Sequence, residues 1–320
     1  MKRRTLLSAA VALPCAARAQ SAIYPNKPIR LIPFGEPGGP LDILGRTFGT
    51  KMSDAWGQPV VVEAKPGAGG MIAADFVARA APDGYTLLFT LTHTQLVLPY
   101  LQKVPYNPVK DFQPLTPVGA GGPVLMVRAD NPANNIKDYV AWAKKKGRAT
   151  CGTWGQGTAA HLYTELLKNQ ADAPLEHIPY KSQGPAHVDL LSGVLDSAWA
   201  NPATAKVHQQ AGKVRILGLT GSRRIGVLPD VPTFTEQGYQ GGFELDSWFG
   251  FLAPAHTPRP IVDQIVKKLH ESAQAPDVRT RLLEMGLEPI SSSPEEFAKS
   301  QERDLPRWGE LIRASGVRGS

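Results

Sequence analysis

Cysteine is scarce: the 320-residue chain has two, Cys15 and Cys151. Cys15 falls in a leader expected to be removed, which leaves Cys151 without an intrachain partner. Cys151 then reads as a small buried apolar residue and not as a nucleophile. Long apolar runs are missing as well. The best candidate, Leu6 to Ala17, is too short to span a bilayer. Once that leader is removed, no block of like charge remains beyond Lys144-Lys145-Lys146, which closes an expected helix, so nucleic-acid binding finds little support. No repeat, heptad run or low-complexity linker interrupts the pattern.

The known chemical fingerprints are also absent. Lys65-Pro66-Gly67-Ala68-Gly69-Gly70 lacks the Lys-Ser/Thr of a Walker loop, and its glycines miss the dinucleotide spacing. Gly152-Thr153-Trp154-Gly155-Gln156-Gly157-Thr158 lacks the serine of a hydrolase elbow. His161 has no metal-spaced partner on its helix, and nothing marks Lys181 as a desolvated Schiff-base lysine. Neither a metal nor a cofactor is expected.

The first residues form a targeting segment. Lys2, Arg3 and Arg4 precede the short apolar stretch, and Ala17-Arg18-Ala19 fits small-x-small cleavage before Gln20. Export to the periplasm is expected, with residues 1–19 as signal peptide; Arg3-Arg4 leaves the general and twin-arginine routes open. Pro14 before Cys15 spoils a lipoprotein signal, so no lipid anchor is expected. Removing Lys2, Arg3, Arg4 and Arg18 takes the formal charge from +7 to +3.

What is present is strand–helix alternation. Strands are expected at 29–34, 59–63, 85–90, 124–127, 149–152 and 214–219, with helices at 40–52, 71–80, 136–146 and 159–169. Strand, helix and strand follow between Leu175 and Trp199. A strand at 243–252 precedes a helical tail that could pack back on the first lobe. This order argues for parallel-rich α/β sheets, and the length for two lobes. Four glycine-bearing loops open helices: 34–42, 65–70, 152–158 and 180–186. A helix start offers free N–H groups and partial positive charge, a ready anion site. Without an assembled nucleophile, base and orienter, these loops point to binding and not to catalysis.

The chain resembles a known family in Tyr24-Pro25-Asn26-Lys27-Pro28-Ile29-Arg30, Pro37-Gly38-Gly39-x-x-Asp42 and Trp56-Gly57-Gln58-Pro59-Val60-Val61-Val62-Glu63. The likeness continues through Pro66-Gly67-Ala68-Gly69-Gly70, Ala81-Pro82-Asp83-Gly84-Tyr85, Pro179-Tyr180-Lys181, Leu228-Pro229-Asp230-Val231-Pro232 and Trp248-Phe249-Gly250. These stretches are similar to the solute receptors of tripartite tricarboxylate transporters, the Bug family. The resemblance implies a periplasmic-binding-protein-like (type II) α/β fold: two lobes, residues 22–123 plus 248–320 and 124–247, joined by crossing hinge strands. It implies a small carboxylate ligand, di-, tri- or aromatic, and membrane permease subunits as partners. It places Phe34, Gly38, Gly39 and Asp42 at the ligand from the first lobe. From the second it places Thr153, Trp154, Gly157, Thr158, His161, Tyr180, Ala186 and Asn201, with Asp246 near the hinge. A ligand sensor for a signalling protein would share the fold; an enzyme acting on a carboxylic acid would need a base–orienter pair that the sequence does not show. Three departures bear on specificity: the longer loop Gly35-Glu36-Pro37, Ala200 where members carry Asp, and Trp154 in a loop of small residues.

Overall fold

The computed structural model describes residues 24–318. The leader, its cleavage point and Cys15 lie outside them. In chain order the first elements are β1 (Ile29–Pro33), α1 (Pro40–Trp56), β2 (Val60–Val62), α2 (Met71–Ala78), β3 (Thr86–Leu91), α3 (Leu98–Leu101) and β4 (Phe112–Gly121). Next come β5 (Val124–Arg128), α4 (Ile136–Lys146), β6 (Ala149–Thr153), α5 (Ala159–Ala171), β7 (Leu175–Pro179), α6 (Gln183–Ser192), β8 (Ser197–Ala200), α7 (Pro202–Gln210) and β9 (Val214–Leu219). The chain finishes with β10 (Ser247–Pro254), α8 (Arg259–Gln274), α9 (Pro276–Glu284), β11 (Glu288–Pro289) and α10 (Pro294–Ser315).

Two mixed sheets result. The six-stranded one runs β11-β4-β10-β3-β1-β2 and the five-stranded one β7-β6-β8-β5-β9. In the first, β1 is parallel to β2 and β3, while β10 is antiparallel to β3 and β4. In the second, β6 is parallel to β7 and β8, while β5 is antiparallel to β8 and β9. The chain leaves the first sheet through Gly122-Pro123 and returns along 220–246, so β5 and β10 each stay within one sheet.

Strand alternation divides the core. Leu31, Phe89 and Phe251 face α1 and α8 with Phe48, Ile265 and Leu269, and the Phe89 and Phe251 rings stack at 4.5 Å. Val124, Met126, Ala198 and Ala200 face α6 and α7. The remaining faces share one cluster: Ile32 and Leu88 of the first sheet join Leu125 and Trp199 of the second and Tyr163 of α5. Burial on both faces explains why these strands read as unbroken apolar runs.

The helical tail does more than pack on the first lobe. α10 touches both β4 and α5, with Phe297 against Trp248 at 4.8 Å and Trp308 near Tyr163 at 6.3 Å. Asn169 of α5 donates to the Ala314 carbonyl at 2.9 Å. α10 begins in a capping box of Ser293 and Glu296. The strand expected from residue 243 starts at Ser247 instead, because Phe243 turns into the core and stacks on Phe234 at 4.5 Å.

Candidate functional site

Strand order locates two crevices. β2 and β3 lie on opposite sides of β1, and β7 and β8 on opposite sides of β6. Successive connections therefore diverge at the carboxyl ends of β1/β3 and of β6/β8, where α/β sheets bind ligands.

At the first crevice Phe34 to Gly39 leads into α1. Gly38 adopts φ +80°, open to glycine at no steric cost. Its N–H donates to Asp42 Oδ2 at 3.0 Å, while Gly39 N–H donates to the Glu36 carbonyl at 2.9 Å. Arg46 Nε donates to the same carboxylate at 3.0 and 3.1 Å. Arg46 first, and then the Gly38 amide, hold the Asp42 carboxyl below the usual range. Asp42 is thus turned into its own loop, which it closes. Pro40 has no N–H to offer, and the amides of Leu41 and Asp42 find no acceptor among the described residues. Phe34 packs beside Gly70, near Thr94. His93 lies over Gly69, and burial pushes its imidazole down to about 4.

At the second crevice Gly155 and Gly157 take φ +129° and +68°. Gly157 N–H donates to His161 Nδ1 at 3.0 Å, and Thr158 Oγ1 to the Gly155 carbonyl at 2.8 Å. Tyr180 N–H donates to the Thr153 carbonyl at 2.9 Å, and its hydroxyl to Asp189 at 2.6 Å. Burial, with the Asp189 bond next, pushes the Tyr180 phenol up to about 12. Thr158 gives α5 no side-chain cap, and the amides of Ala159 and Ala160 have no acceptor among the described residues. Gly157 approaches Leu101 of α3, which brings this loop against the first crevice; Trp154 and Phe34 pack on the same apolar cluster.

Phe34, Gly38, Gly39, Thr153, Trp154, Gly157, Thr158, His161 and Tyr180 therefore stand on or beside these loops, and Asp42 braces the first. The other three positions have different surroundings. Ala186 is fully buried on α6, against Gly152. Asn201 caps α7 through Ala203 N–H and donates to the Met285 carbonyl of the first sheet's side. Asp246 stands just before β10, holding Ser222 through its amide at 2.9 Å and its hydroxyl at 2.7 Å. Sequence reasoning passed over His93 and His177. The parity of β7 against β6 could have found His177, since it pairs with Cys151 and shares its face.

An opening of about 900 Å³ lies elsewhere, beside Lys27, Arg30, Phe76, Arg79 and Tyr85. It sits at the amino ends of β1 and β3, with Met71 and Ile72 at the start of α2 also on its wall. Its charges are already matched, Lys27 with Asp83 at 3.1 Å, Arg30 with Glu63 at 2.7 Å and Arg79 with Asp75 at 2.8 Å.

Residues 44–317 match the family described as the tripartite tricarboxylate transporter family receptor, TctC. The chain belongs to this family. TctC receptors are periplasmic solute-binding proteins, not enzymes. The solved structure of the periplasmic binding protein BugD is 34% identical, covers 93% of this chain and 100% of its own, and superposes with TM-score 0.75. MatC from Rhodopseudomonas palustris with bound malate is 29% identical, with coverage of 90% and 100% and TM-score 0.74. Rpa4515 of R. palustris with adipate is 29% identical, with coverage of 93% and 100% and TM-score 0.75. The TctC fold is periplasmic-binding-protein-like, and the two mixed sheets are its two lobes. Among the described residues no group of His, Cys, Asp and Glu could hold a metal, and no helix is long and apolar enough to cross a membrane.

Proposed function

We propose that this TctC receptor captures a small di-, tri- or aromatic carboxylate in the periplasm and delivers it to a two-component membrane permease. The observation that carries this reading is the pair of helix starts, α1 and α5, which leave backbone N–H groups without acceptors at the two crevices. Such amides bind a carboxylate without help from arginine. The malate and adipate held by relatives support the ligand class. In this reading the lobes are residues 22–123 plus 248–320 and 124–247, and they close by rotation about the Gly122-Pro123 and 220–246 crossings. Phe34, Gly38 and Gly39 face the solute from one lobe, and Thr153 to Thr158, His161 and Tyr180 from the other. Ala186, Asn201 and Asp246 shape the second lobe and the hinge around it.

The test is a thermal-shift screen with malate, adipate, citrate and benzoate. A true ligand at a hundredfold excess over its dissociation constant stabilises by about 2.7 kcal/mol. For a protein of this size the melting temperature then rises by roughly five to ten degrees. No shift with any carboxylate would remove the ligand class. Calorimetry with the best acid then tests the first loop. Asp42→Asn weakens the Arg46 pair and loosens the hold on Gly38, so affinity should fall at least tenfold, about 1.4 kcal/mol, with the fold retained. Wild-type affinity in the folded variant would move the site off this loop.

A further inference from the structure

Two imidazoles lie face to face beneath the 153–158 loop. The rings of His161 and His177 are 3.8 Å apart and inclined by 15°. His161 is on the first turn of α5, and His177 is in the middle of β7. Parity brings them together. Cys151 and Thr153 of β6, and His177 in register with Cys151, share one sheet face, and α5 lies on that face with Thr164 against the Cys151 thiol at 3.6 Å.

Each ring holds a different part of the loop. His161 Nδ1 accepts the Gly157 N–H, which requires that nitrogen to be unprotonated and places the proton on Nε2. His177 Nε2 meets Thr153 Oγ1 at 2.6 Å, and the same oxygen accepts the Gly155 N–H at 3.3 Å. The stack keeps the two rings in register, so the start and the end of the loop are fixed together.

We propose that His161 and His177 are positioning residues acting as one clamp: the stacked neutral pair holds the 153–158 loop in its binding shape and releases it when protonated. The consequence for ligand affinity rests on the reading of that loop as a carboxylate site; the clamp itself does not. Burial keeps both rings neutral at pH 7. It pushes His161 down, and it pushes His177 down to about 4 with help from the neighbouring His161. The other titratable groups facing the pair are Glu165 and Lys168 of α5, themselves joined at 3.2 Å. Glu165 favours protonation of His161, and Lys168 opposes it on both rings. β6 contributes Cys151, whose thiol burial pushes up to about 11, and residues 154–158 contribute no titratable group. A histidine depressed in the folded state contributes its full stability above its ordinary range near pH 6.5, and that contribution is lost as pH falls toward 4.

Amide exchange of the ligand-free protein tests the clamp. Protection of the Gly157 N–H should fall at least tenfold between pH 7 and pH 4.5, while protection in β5 and β9 holds. In His161→Asn the side-chain oxygen can replace Nδ1 as acceptor, so protection at pH 7 is kept and no longer falls in acid. In His161→Leu protection is lost at both pH values, and in His177→Gln it is at least threefold lower at pH 7. A flat wild-type profile, or a wild-type fall in His161→Asn, overturns the clamp; these two proteins decide it even where His161→Leu does not fold. Calorimetry with adipate or malate, whichever binds, separates the two readings. Wild-type affinity in a variant whose loop has lost protection leaves the clamp standing and removes the loop from the ligand site.

Discussion

Trp308→Ala is expected to lower the unfolding free energy by about 3–5 kcal/mol, the usual range for emptying a buried aromatic site. The ring is 1% exposed and packs from α10 toward Tyr163 of the second lobe. A fall in melting temperature on the order of 6–20 °C follows for a protein of this size. The loss should also be uneven. α10 is in contact with both β4 and α5, so removing its largest side chain weakens the link between sheets more than either sheet. Urea unfolding followed by probes on the two lobes should then give transitions that no longer coincide. Arg313→Ala, on the exposed side of the same helix, serves as a control that should stay within about 0.5 kcal/mol of wild type. A loss under about 1 kcal/mol for Trp308→Ala, with coincident transitions, would show that α10 does not couple the lobes.

Gly70→Ala should destabilise by about 2–5 kcal/mol, which combines left-handed backbone strain of about 1–2 with overpacking of about 1–3. Gly70 has φ +96°, and an added Cβ would stand 2.4 Å from Thr94 Oγ1 and 2.9 Å from the Phe34 ring. Thr94 cannot turn aside freely, because its hydroxyl donates to the Gly69 carbonyl at 2.9 Å. The displacement falls on Phe34, so ligand affinity should drop together with stability. Gly212→Ala is the comparison, since that glycine has φ +67° with open space around it and carries the backbone strain alone. If the two variants are equally stable, the contacts around Gly70 contribute nothing and the first crevice is looser than its geometry indicates.

Much of the fold was legible because local and tertiary signals agree. α4 begins at Asn135, whose side chain accepts Asp138 N–H at 2.8 Å, and ends at Gly147 with φ +85°, so its limits could be read from cap residues alone. α8 shows its buried stripe directly in Val262, Ile265, Val266 and Leu269. β4 was not legible. Pro114, Pro117, Gly119 and Gly121 argue against a strand. They are tolerated because the outer edge of β4 meets only the two residues of β11, and its pairing with β10 is broken by two register shifts. The site divides the same way. Glycine loops at helix starts could be read from the sequence, because backbone conformation is a local property. That Asp42 orders its own loop was readable too, since its partners Gly38 and Arg46 are each four residues away; that His161 stacks on His177 depends on strand order, which no window of sequence contains.

α10 comes later in the chain than every element it covers. Synthesis runs from the amino end, so Tyr163 and Phe243 emerge well before Trp308 and Leu311 exist to meet them. Until then the side chains that α10 covers on either lobe stay open, a condition that favours chaperone contact over a locked native state. α10 therefore acts as a timer as well as a strap: the surfaces it covers on the two lobes stay open until its own turns have been made.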